Sequence, residues 1–157
     1  MEDRIAALKD HYIICGAGEI GIHVINEFVK TRKDFIVIER DPDVIQKLGE
    51  SGDLLSIQGN ADEDGVLRKA GIERAKGLIS VLPEDKDNLF TIVTARTLHP
   101  TLRIVTKAIK DDSVNKLRRA GANSVVSTQS IGGMRIRLKC SDQRSSLLLI
   151  ASYKNTN

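Results

Sequence analysis

The stretch "HYIICGAGEIG", His11 to Gly21, constrains this chain more than any other. An apolar run stops at a glycine, and two further glycines follow at the spacing G-x-G-x-x-G. Each glycine has its own physical task. Gly16 permits a tight turn after a strand, Gly18 lets a ligand approach the backbone, and Gly21 lets the following helix pack close to the strand. A helix that opens there offers unpaired N–H groups and the positive end of its dipole to an anion. Ala17, Glu19 and Ile20 complete the candidate phosphate-binding stretch. Alone the pattern is weak, because a strand–helix turn without a ligand has the same glycines. A second residue strengthens it: Glu39 closes the next apolar run, about 20 residues on, where a ribose hydroxyl contact is expected.

The rest of the chain alternates short apolar runs with segments of helical period. Strands are expected at Tyr12–Cys15, Phe35–Ile38, Leu54–Ile57, Gly77–Leu82, Arg103–Ala108 and Ser124–Val126. Ile20, Val24, Ile25, Phe28 and Val29 recur as one buried helix face. Asp41 followed by Pro42 is a helix start. "DEDGVLRKAG" and "DDSVNKLRRAG" share an acidic first turn, a basic last turn and a terminal glycine, so Gly71 and Gly121 read as C-caps. A longer helix from about Lys86 to Leu98 carries Leu89, Ile92, Val93 and Arg96 at helical spacing. Six alternations of this kind specify an α/β fold. The expected form is a Rossmann-like doubly wound sheet of six mainly parallel strands with helices on both faces.

In such sheets ligands lie beyond the carboxyl ends of the strands. That brings Arg40, Gly59, Asn60, Ala61, Leu82, Asn88 and Lys107 toward the glycine loop. A carboxylate at Glu39 accepts ribose hydroxyls and repels a 2′-phosphate, which favours NAD or adenosine nucleotides over NADP. Arg40 suits an adenine face or a phosphate. Asn60 and Asn88 serve equally well as helix-end caps, and Lys107 as a solvated strand-end charge.

Composition narrows the function. Lys and Arg number 24 against 21 Asp and Glu, a net charge of +3 with the signs interleaved, so no basic stripe suits nucleic acid. Two cysteines make no disulfide framework, and Cys15 reads as a buried thiol. "MEDRIAALKD" has no signal-peptide core and no run is long enough to span a bilayer, so a cytoplasmic domain is expected. His11, His23 and His99 stand apart, with neither metal-ligand spacing nor a nucleophile elbow. The expectation is a binding domain with no catalytic residues and no metal. The alternative is a small NAD-dependent oxidoreductase, with His23 as the only histidine near the loop.

"HYIICGAGEIG", "VIERDP", "GNADEDGVLRKAGIERAKGLISV", "KDNLFTIVTAR" and "RRAGANSVVSTQSIGGMRI" resemble the RCK domain, also called the TrkA-N or KTN domain, of prokaryotic potassium channels and potassium transporters. The resemblance runs from about Arg4 to Ile136. It implies binding of NAD(H), or of ATP or ADP, at the glycine loop with the strand-two acid on the ribose. It also implies a homodimer or larger ring that acts on a membrane pore or transporter subunit, with Met1 an internal start. The dimer helix would begin near Gln129, and Ile131, Met134 and Ile136 would belong to its partner surface. Asn60 departs from the family's usual Asp, which makes a hard-cation site less fitting there.

The resemblance gives residues 1–136 as the domain and stops at Arg137. The family continues with wording such as "ASEMLRPTVV", where this chain has "RLKCSDQRSS". Codons GCG TCT GAA ATG CTC AGA CCA ACG GTC GTC A encode the former. Without their first base they read CGT CTG AAA TGC TCA GAC CAA CGG TCG TCA, which is the latter. The expectation is a frameshifted tail over 137–157, with an unusual natural C-terminus as the other reading.

Overall fold

Alternation of buried side chains along each strand sends two apolar sets to opposite faces of one sheet, and each set has its own helices. A computed structural model describes residues 1–128. The strands are β1 (Tyr12–Cys15), β2 (Phe35–Glu39), β3 (Ser56–Gln58), β4 (Gly77–Ser80), β5 (Arg103–Ala108) and β6 (Ser124–Ser127). The helices are α1 (Glu2–Ala6), α2 (Glu19–Lys30), α3 (Pro42–Ser51), α4 (Asp64–Lys69), α5 (Asp85–Leu98) and α6 (Asp111–Ala120). The strand order is β3-β2-β1-β4-β5-β6 and every neighbouring pair is parallel. The order reverses between β1 and β4, so a crevice opens there at the carboxyl ends of the strands. The expected α/β architecture is therefore present, with its sheet wholly parallel among the described residues.

On one face Ile13, Ile36, Leu78 and Ile104 pack with Leu67 of α4, Ile92 of α5 and Leu117 of α6. On the other, Ile14, Val37 and Ile79 pack with Val24, Ile25 and Phe28 of α2 and Leu48 of α3. Phe28 anchors this second face, with its ring edge-on to Tyr12 at 5.0 Å and to Phe35 at 6.1 Å. Burial of a side chain of this size stabilises by about 1.5–3 kcal/mol.

Local signals hold where they have a backbone partner. The Asp41 side chain accepts from Asp43 N at 2.9 Å and caps α3, with Pro42 at the first helical position. Gly71 and Gly121, after α4 and α6, have φ of +77° and +126°. One apolar position differs from the expected buried face. Val29 is 51% exposed, because the sheet covers only the narrower stripe Val24–Ile25–Phe28. The third strand starts at Ser56 rather than Leu54, and the fourth stops at Ser80. Val81 and Leu82 leave the ladder to wall the crevice. No described helix is long and apolar enough to cross a membrane. The expected dimer helix from Gln129 and the tail 137–157 lie outside the described residues.

Candidate functional site at the sheet switch point

The glycine loop is built by two close approaches and one opening. Gly16 has φ +101°, and a Cβ there would meet Val81 O at 2.9 Å. A Cβ on Gly21 would lie 2.1 Å from Gly16 O, so α2 starts hard against the turn that precedes it. Gly18 caps α2 at φ −75°, and a Cβ there would meet nothing within 4 Å among the described residues. Two of the three glycines thus pack the loop, and the third faces open space.

Glu39 binds the loop to the end of β2. Its Oε1 accepts Ala17 N at 3.0 Å and its Oε2 accepts Asp41 N at 2.8 Å. Each carboxylate oxygen keeps acceptor capacity beyond one such bond, so the group can still take a hydroxyl. Gly59 N donates to Glu39 O at 3.0 Å and draws the end of β3 into the same corner.

Two cavities flank this corner. One, of about 340 Å³, is lined by Arg40, Asn60, Ala61, Leu82, Pro83 and Thr91, among others. The other, of about 330 Å³, lies against Gly18, Glu19, Ile20, Pro83, Lys107 and Thr128. The residues expected from the sequence therefore divide: Arg40, Asn60, Ala61 and Leu82 go to the first cavity, and Glu19, Ile20 and Lys107 to the second. Asn60 also donates to Glu63 Oε1 at 3.1 Å, beside the start of α4. His23 is among the lining residues of neither cavity.

Asn88 requires a correction. It is fully buried, and its Oδ1 accepts Ser80 Oγ at 2.6 Å and Leu82 N at 3.0 Å while its Nδ2 donates to Leu82 O at 3.2 Å. Its amide is committed to the backbone that leaves β4, so it positions Leu82 and does not face the crevice. Cys15, at the end of β1, is also enclosed, and burial pushes its thiol pKa far up, which leaves it inert. Among the lining residues that the sequence did not single out are Asp62, Pro83, Asp87 and Thr91. Thr91 had a signal available: it follows Asn88 by three positions, on the helix face that meets the strand ends.

Residues 12–128 match the TrkA-N domain family. The chain belongs to the TrkA-N family. It is 45% identical over 138 residues to probable potassium channel protein 2 of Methanocaldococcus jannaschii, which covers 87% of this chain and 40% of that one. Potassium channel protein 1 of the same organism is 42% identical over 137 residues, covering 87% and 41%. This TrkA-N chain thus spans about two-fifths of the length of those relatives. Among solved structures, the TrkA-N domain of the Escherichia coli inner membrane protein YbaL superposes with a TM-score of 0.77 at 26% identity, covering 84% of this chain and 98% of that one. The GsuK channel bound to NAD superposes at 0.71 and 26% identity, covering 76% and 22%. GsuK bound to ADP gives the same score and identity, covering 77% and 32%.

Proposed function

We propose that this TrkA-N domain is a nucleotide sensor for a potassium channel or, as the runner-up, a potassium transporter. Its ligand is an adenine nucleotide, NAD(H) first and ADP or ATP next. The observation that carries the reading is the open face of Gly18 on one of the two cavities, with the Glu39 carboxylate bonded to the N–H of the neighbouring Ala17. The loop and the mouth of α2 take the pyrophosphate, Glu39 the ribose hydroxyls, and the cavity behind Arg40 and Ala61 the base. The names of the relatives, and the NAD and ADP bound to GsuK, support both the ligand class and the potassium context. Regulation follows if ligand affinity differs between two arrangements of a homodimer or ring, since a ligand shifts such an equilibrium only by that difference.

Isothermal titration of the chain with NADH, NAD, ADP and ATP tests the reading, with Gly18→Leu alongside. The φ of Gly18 is open to L residues and its Cβ direction is open, so the variant folds, with a poorer helix cap, and fills the phosphate site. Saturable binding by the parent, lost in Gly18→Leu, is the expected result. A leucine variant that binds as well as the parent would refute the site. NADPH binds more weakly than NADH, because its 2′-phosphate meets Glu39.

A further inference from the structure

Three threonines follow one another at helical spacing on α5, and they do not behave alike. Thr94 Oγ1 donates to Phe90 O at 2.9 Å and Thr97 Oγ1 to Val93 O at 2.8 Å, each back to the carbonyl four residues earlier. That bond is the ordinary resting place of a threonine hydroxyl within a helix. Thr91 is fully buried, yet its Oγ1 has no hydrogen-bond partner among the described residues. It is also a lining residue of the cavity of about 340 Å³ that opens at Arg40.

A buried hydroxyl without a partner is costly, and native proteins carry few of them. The cost is removed when a ligand brings the missing partner. The neighbours of Thr91 in that cavity narrow the ligand group. Ala61, Leu82 and Pro83 supply apolar surface suited to the faces of a flat ring, and Asp62 and Asp87 supply carboxylates. Thr91 therefore adds a donor–acceptor hydroxyl to a cavity in which Ala61, Leu82 and Pro83 are the apolar surface and Arg40, Asn60, Asp62 and Asp87 the polar one.

We infer that Thr91 is a specificity-determining residue whose hydroxyl hydrogen-bonds the edge of the adenine base. The inference rests on the nucleotide-binding reading above and adds to it a named contact for the base. A hydroxyl both donates and accepts, so it meets either the exocyclic amino group of adenine or a ring nitrogen beside it. The carboxylates of the cavity accept from the same amino group and disfavour a carbonyl in its place. The cavity thus prefers adenine to a 6-oxopurine. Asn88 supports the arrangement from one helical turn away, because it fixes the backbone of Leu82, which lines the same cavity.

The test uses Thr91→Val, which keeps the shape and removes the hydroxyl, and Thr91→Ser, which keeps the hydroxyl. Titration with ADP and with NADH is paired with thermal melting of the free protein. The valine variant is expected to bind both ligands about tenfold more weakly, the loss of one good hydrogen bond. Its unliganded melting temperature stays level or rises, since an orphaned polar group has gone. The serine variant binds within about twofold of the parent. Unchanged ADP affinity in Thr91→Val, with the parent still binding, overturns this inference and leaves the nucleotide-binding reading intact. A lowered melting temperature in the free valine variant also overturns it, because the hydroxyl would then have a partner within the fold. If the parent binds neither ligand, the broader reading falls and this one with it.

Discussion

The two ends of the sheet treat their polar groups in opposite ways. At the amino ends of the strands, side chains close off the loops. His11 Nε2 donates to Ala70 O at 2.8 Å, Arg74 Nε to Leu8 O at 2.9 Å, and His99 Nδ1 meets Ile72 O at 2.9 Å. Arg96 alone reaches the carbonyls of Pro100, Leu102 and Gly121 and the side chain of Asn123. At the carboxyl ends, among the described residues, Gly18 faces open space, Thr91 keeps a buried hydroxyl unused, and two cavities open, one against the loop and one at Arg40 and Asn60. Both ends use polar side chains to hold the fold, Glu39 and Asn88 among them at the carboxyl end, but the carboxyl end also sets an open glycine and an unpartnered hydroxyl against cavities. The difference teaches where substitutions should damage stability and where they should damage binding.

The sharpest contrast lies within the glycine loop itself. Gly21→Ala drives a Cβ to 2.1 Å from Gly16 O, and backbone cannot step aside cheaply. The expected loss is about 3 kcal/mol or more of unfolding free energy in a denaturant titration. Gly18→Leu, three residues away, should lower the same midpoint far less and remove binding. Equal stability losses in the two variants would erase the distinction between packing glycine and ligand glycine.

The closed end should break at Arg96. Arg96→Met keeps much of the aliphatic stem and removes every donor, leaving the Leu102 and Gly121 carbonyls short of a partner. A loss of roughly 2–3 kcal/mol is expected by chemical denaturation. Nucleotide affinity of the folded variant should match the parent. A variant that kept its stability but bound poorly would assign Arg96 to the other end's work.

The smallest effect is a pH dependence. Burial, ahead of any other cause, holds the His11 imidazole below its ordinary value of 6.5; Arg74 acts in the same direction, against the Ala70 carbonyl, Asp34 and Asp10. His11 Nδ1 is buried without a partner among the described residues, so a proton there would be another stranded donor. Below the unfolded value the unfolded chain binds more protons than the folded one. This contribution to stability is therefore complete above about pH 6.5 and declines as the pH falls through the lower folded value. His11→Gln should flatten the slope of melting temperature against pH in that acidic range. An unaltered slope would show that His11 takes up its proton equally in both states.

Much of this was legible before any coordinates. Short apolar runs between segments of helical period placed all six strands, and the cap at Asp41 and the left-handed turns at Gly71 and Gly121 follow from local backbone demands that a sequence displays directly. Arg40, Asn60, Ala61 and Leu82 could be assigned to one crevice because parallel topology puts the strand ends together. Val29 falls outside the buried face expected for it, since periodicity reports which side of a helix is apolar but not how wide a stripe the sheet will cover. Asn88 was drawn toward the ligand by its position, and only its three hydrogen bonds show that its amide is already committed.

By itself, the sequence determined the doubly wound fold, the loop at the switch point and the acid beside it, because these depend on residue type at fixed short spacing. Tertiary structure decided which glycine faces a ligand, which asparagine is a prop, and that Thr91 alone among its neighbours on α5 keeps its hydroxyl unspent. Those outcomes depend on what the chain places opposite each group in space, and residues far apart in sequence supply it.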